Sequence, residues 1–102
     1  MDAQERYDEL AGDLAARHGE VELGKMFGMP CVKANGKAVA GLYQGEMVFK
    51  LPDPAAREEA LALEGAHLFD PMGGRPMKEW VQVPAAHAAR WSDLAERALA
   101  RR

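Results

Sequence analysis

Apolar and polar positions alternate most clearly across residues 25–51, and two glycine-containing turn signals divide that stretch. Asn35-Gly36 is the strongest short-range hairpin signal, because a two-residue turn of the I′ type needs positive φ at both positions. Gln44-Gly45 separates residues 39–43 from residues 47–51. In the second of these runs Met47, Phe49 and Leu51 share one face, and Val48 and Lys50 share the other. The pattern predicts a three-stranded antiparallel meander over residues 25–34, 37–43 and 46–51. Val21-Glu22-Leu23-Gly24 reads as a link or the start of a strand. Gly28 and Pro30 interrupt the first strand. Such a glycine suggests a bulge or a close backbone approach, and a proline that donates no ladder hydrogen bond places part of the strand at a sheet edge. The middle strand is small and apolar on both faces (Ala38, Val39, Ala40, Gly41, Leu42), which suits close approach by a helix.

The flanks follow a different period. Tyr7, Leu10 and Leu14 recur at helical spacing, with Ala11 and Ala15 alongside, and predict a helix over residues 3–18 that Gly19 ends. Asp53 and Pro54 cap and open a second helix, with Ala56, Ala60 and Leu63 as its inner stripe, ending near Glu64. His67-Leu68-Phe69 reads as a short strand. Residues 70–76 are a turn-rich loop, and residues 77–83 are another strand with Met77, Val81 and Val83 on one face and Trp80 on the other. Pro84 opens a last helix with Trp91, Leu94, Ala95, Ala98 and Leu99 inward, and Ser92-Asp93 offers a cap at which it would split in two. Strands grouped between helices indicate α+β. The expected architecture is two-layer, α-β(3)-α-β(2)-α, with helices on one face of an antiparallel five-stranded sheet.

At 102 residues the chain is expected to form one domain, residues 1–102. Its 48% hydrophobic and 28% charged content is ordinary for a globular domain that buries one core. The net charge of −3 and pI near 5.6 do not support general nucleic-acid binding, which needs clustered Lys and Arg, although a local basic patch stays open. Acids crowd the first helix, and Arg90, Arg97, Arg101 and Arg102 make the last one basic. The two either attract across the fold or are simply solvated faces. A lone Cys31, no long apolar run and an acidic start without a signal-peptide core point to a cytoplasmic protein with no membrane association.

No catalytic constellation emerges from this pattern, so no catalytic, cofactor-binding or metal residues are assigned. His18, His67 and His87 lack metal-ligand spacing. Cys31, in an apolar strand, reads as a packed thiol rather than a nucleophile. Gly73-Gly74-Arg75-Pro76 has the glycines and arginine of an anion-binding loop, but a strand follows where a P-loop needs a helix, so a plain hairpin loop is preferred. The candidate interaction residues are Lys33, Lys50, Arg75, Lys78 and Trp80. Lysines aligned with an aromatic on an open sheet face are how sheet proteins hold single strands, and the same lysines also keep an exposed sheet from pairing wrongly.

Lys25-Met26-Phe27-Gly28 with its following Asn-Gly hairpin resembles the N-terminal domain of the TfoX/Sxy competence-regulator family. So do Gly45-Glu46-Met47-Val48-Phe49-Lys50-Leu51, Gly74-Arg75-Pro76-Met77, Trp80-Val81-Gln82-Val83-Pro84, and a last helix with Trp91, Ala98 and Leu99. The resemblance implies a fold like that of secretion chaperones, a bacterial cytoplasmic setting and a role in transcription regulation. Full-length family members carry a second, helical domain that these residues do not include, and the family supplies no catalytic residues. Pro30-Cys31-Val32-Lys33 also resembles YjbR-like proteins, which implies a DNA-associated alternative using the lysine-bearing sheet face and the basic last helix. The leading expectation is a non-enzymatic regulatory or interaction domain with a protein partner or as a homodimer.

Overall fold

The computed structural model describes residues 2–100. Asp2 opens α1 (Ala3–Arg17) through a capping box. Its carboxylate accepts from Glu5 N at 2.8 Å, and the Glu5 carboxylate accepts from Asp2 N at 3.1 Å. Tyr7, Ala11 and Leu14 form the buried stripe that the helical period predicts.

Four strands follow: β1 (Val21–Met26), β2 (Met29–Ala34), β3 (Lys37–Tyr43) and β4 (Glu46–Lys50). The same two-residue turn joins each pair. Phe27-Gly28, Asn35-Gly36 and Gln44-Gly45 all have positive φ at both positions, between 50° and 82°, the I′ geometry whose twist matches that of the strands. The segment expected as one strand over residues 25–34 is therefore two, and Gly28 marks a reversal rather than a bulge. A bulge does occur, between Val32 and Lys33, where Val39 is the extra residue of β3. Pro30 does not lie on an edge strand: β2 sits between β1 and β3. It is tolerated because it precedes the first β2–β3 pair, Cys31 with Gly41.

Asp53 caps α2 (Pro54–Leu61) by accepting from Ala56 N at 3.2 Å, and Pro54 takes the first turn as expected. The chain then adds β5 (His67–Phe69) and β6 (Met77–Val83). A 3-10 helix at Ala85–Arg90, kinked at His87, leads into α3 (Trp91–Ala100), so the last helical segment is split. The strand order is β1-β2-β3-β4-β6-β5, antiparallel throughout. The fold is α+β with an open sheet of six strands; the sixth comes from the division at Phe27-Gly28.

The inner stripes of α1, α2 and α3 meet one face of the sheet in a single core with Val32, Met47, Phe49, Val81 and Val83. α3 lies against β3 and β4, where Ala40 is the small residue that lets it approach. Ion pairs strap the helices together at the surface. Arg17 on α1 contacts Glu96 on α3, and Glu59 on α2 takes Arg90 and Arg97 at 2.9 and 2.8 Å.

Candidate interaction face

The other face of the sheet carries no helix, yet it has an apolar cluster of its own. Met29, Val48, Phe69 and Trp80 are buried there, with Met26, Ala38, Tyr43 and Met77 half-buried around them. Strand alternation sets this up. Val48 sits between Gly41 and Gln82 in register, and Lys50 is opposite Trp80, so all of these side chains leave the same side.

Burial without a covering layer requires curvature. Tyr43 on β3 and Phe69 on β5 are three strand spacings apart, roughly 14 Å in a flat sheet. Their rings nevertheless meet edge to face with centroids 5.0 Å apart. Phe69 also reaches Trp80 at 6.4 Å. The face is therefore concave, and a second irregularity, between Leu68 and Phe69, turns β5 into it. That irregularity also corrects the expected facing of Met77. It pairs with Phe69 and joins the Trp80 side rather than Val81 and Val83.

Of the five candidate residues, the sheet brings Lys50 and Trp80 together as register partners. Trp80 is only 7% exposed, so it is a wall of the cluster and not a stacking platform. Lys33 is on the same face but two strands from Lys50, with its side chain folded over Gly24 of β1. Lys78 and Arg75 are exposed at the β5–β6 end. Acidic and neutral groups interleave with the lysines. Glu22 is the cross-strand neighbour of Lys33, and Glu46 accepts from the Gln82 amide at 2.7 Å. The face is of mixed charge. Arg90 and Arg97 of the last helical segment are engaged by Glu59 and Asp93, and Arg101 and Arg102 lie outside the described residues.

The glycine loop before β6 already holds an anion. The Asp70 carboxylate accepts from Gly74 N at 2.8 Å and from Arg75 N at 3.3 Å. These bonds hold its pKa below the usual value. The backbone donors that would cradle a phosphate are thus taken by the chain's own side chain, which supports the hairpin-loop reading. Asp-Pro-x-Gly-Gly was the signal for this turn, since Asp bonds readily to the backbone just after it.

Cys31 is fully buried on this face beside Gly41, and burial pushes its thiol pKa up, outweighing the opposing charge of Lys33. Among the described residues no group of three or more His, Cys, Asp and Glu side chains is arranged to hold a metal ion. His87 bonds the Glu64 carbonyl at 2.8 Å and His67 bonds the Leu68 carbonyl at 2.9 Å, so both serve local structure. A groove of about 310 Å3 between α1 and α3 mixes Arg6, Glu9, Asp13 and Ser92 with Leu10, Ala88 and Trp91. No helix among the described residues is long and apolar enough to cross a membrane. A scan against protein-family models, a search of curated proteins and a search of solved structures each found no match to this chain.

Proposed function

We propose that this chain is a non-enzymatic interaction domain of the kind used in regulation, one that works through protein contacts, including with a second copy of itself. The observation that carries this reading is the concave, helix-free face with its own cluster of methionines and aromatics. A half-buried rim of Met26, Tyr43 and Met77 around buried Phe69 and Trp80 is adaptable apolar surface, the type that partner-binding proteins present. Its resemblance to the TfoX/Sxy N-terminal domain supports the same reading and a cytoplasmic, bacterial setting.

The test is affinity capture with Met26→Glu and Met77→Glu beside the wild type, each checked for native circular dichroism. The reading expects a discrete protein retained by the wild type and lost by both variants. Equal retention by all three counts against it. A DNA shift assay at two salt concentrations addresses the YjbR-like alternative. A salt-sensitive shift abolished by Lys33→Glu with Lys50→Glu would replace the protein-contact reading with a DNA-associated one.

A further inference from the structure

We propose that β1 is a self-pairing edge: two copies join antiparallel through it, centred on Leu23, into one continuous sheet. The proposal rests on the homodimer part of the reading above, and it uses the free β1 edge, away from the Phe69–Trp80 cluster, although Glu22 and Lys33 leave the sheet on the helix-free side.

The open sheet has two edges. β5 has three residues and runs into Asp70-Pro71, so it offers little to pair with. β1 has six residues, contains no proline and forms an unbroken register with β2 from Val21 to Met26. Natural edges are normally blunted by bulges, prolines, short length or charged side chains, lysine above all; β1 has no bulge, no proline and is not short, and its charges are Glu22 and Lys25.

The main chain is presented for pairing. Asn35 N donates to the Glu20 carbonyl at 3.1 Å, so even-numbered residues of this stretch face β2. Val21 N donates the other way, to His18 O at 3.1 Å. By the same alternation the N–H and C=O groups of Leu23 and Lys25 point outward from the sheet. Leu23 is also 53% exposed, among the most exposed large apolar side chains of the described residues.

Symmetric pairing of the outward residues admits registers centred on Leu23, Gly24 or Lys25. Centring on Lys25 opposes two lysines. Centring on Gly24 sets Leu23 against Lys25 and Glu22 against Met26. Centring on Leu23 sets Leu23 against Leu23 of the second copy, and Lys25 N–H against the Val21 carbonyl there. It also sets Glu22 of the second copy opposite Gly24.

That last position is where Lys33 is waiting. A Cβ on Gly24 would stand 3.2 Å from Lys33 Cε and 3.4 Å from Nζ. Lys33 lies over this glycine, and among the ion pairs of the described residues none joins it to its own neighbour, Glu22. Gly24 leaves the room for the lysine, and the lysine meets the carboxylate of the second copy. Because the contact is isologous it closes at two chains and does not propagate.

The experiment is light scattering on the full chain over a range of concentrations, for wild type, Leu23→Lys, Glu22→Lys and Lys33→Glu. The wild type is expected to approach twice 11.1 kDa as concentration rises. Leu23→Lys should stay at the mass of one chain. Glu22→Lys and Lys33→Glu should each stay monomeric alone, and their equimolar mixture should regain the dimer mass. Only the mixed pair restores opposite charges across both halves of the contact. A wild type that stays monomeric at every concentration overturns the proposal. So does a dimer that survives Leu23→Lys, or a mixture that remains monomeric while the wild type dimerises. Loss of the β1 dimer alone would leave capture by the helix-free face standing, so the two readings fail separately.

Discussion

A single hydrogen decides the packing at Gly41. A Cβ there would stand 2.5 Å from Met29 Cε and 2.9 Å from the Pro30 carbonyl oxygen. The methionine tip can move, but the backbone carbonyl is fixed by the β1–β2 hairpin. Gly41→Ala should therefore cost on the order of 1–3 kcal/mol, as overpacking of a close-fitted core does, read as a lowered urea midpoint with an unchanged slope. An unchanged midpoint would mean that β2 and β3 are less tightly apposed than described. Cys31 beside it behaves as its apolar neighbours in the sequence imply. Buried and with its thiol pKa raised, it should resist a thiol reagent in the native protein and react promptly in urea. Fast native labelling would show that this face opens. Trp80 was less legible. Alternation correctly set it opposite Val81, but a two-residue period carries no curvature, so nothing in the sequence showed that Phe69 would meet both Trp80 and Tyr43.

At the level of elements, the turns show what sequence chemistry can and cannot reveal. Asn35-Gly36 was readable because asparagine tolerates positive φ. Phe27-Gly28 was hidden because an aromatic residue at a φ of 53° is unusual. The turn forms anyway because Met26 and Met29 are held as cross-strand partners by the ladder on either side. That local conflict predicts that Phe27→Asn raises stability. Phe27 is 60% exposed and loses little packing, while relief of the left-handed strain contributes about 1 kcal/mol. The thermal midpoint should rise; a fall would mean that the ring packs against something that its exposure does not show. The start of α2 was legible for the opposite reason: Asp53 with Pro54 carries its cap geometry in the residues themselves, so no tertiary contact had to be guessed.

Across the whole molecule, the sheet is one layer, the three helices meet it through the apolar core, and surface ion pairs tie the helices to one another. The sequence showed an acidic first helix and a basic last one, but not the pairing. The basic residue of the contact, Arg17, is on the acidic helix, and its acid, Glu96, is on the basic one. Glu59 joins α2 to the last helical segment by accepting from both Arg90 and Arg97, and the Arg97 hydrogen bond is the leading cause of its lowered pKa. A carboxylate whose pKa is depressed on folding stabilises the native state above its ordinary value, about 4.5 for Glu59. That contribution shrinks as the pH falls below this value and is lost once the lowered folded pKa is passed. Glu59→Gln should therefore be less stable than wild type at neutral pH, modestly, since the group is exposed. The gap should close on acidification, because the wild-type side chain is then neutral too. Urea midpoints for the two proteins at a series of pH values measure this directly. Asp70 also loses its contribution in acid, but it does so in both proteins and cancels in the difference. A gap that stays constant with pH would show that Glu59 acts through packing and not through its charge. The strap across the helices would then be a surface decoration on a fold held by its core alone.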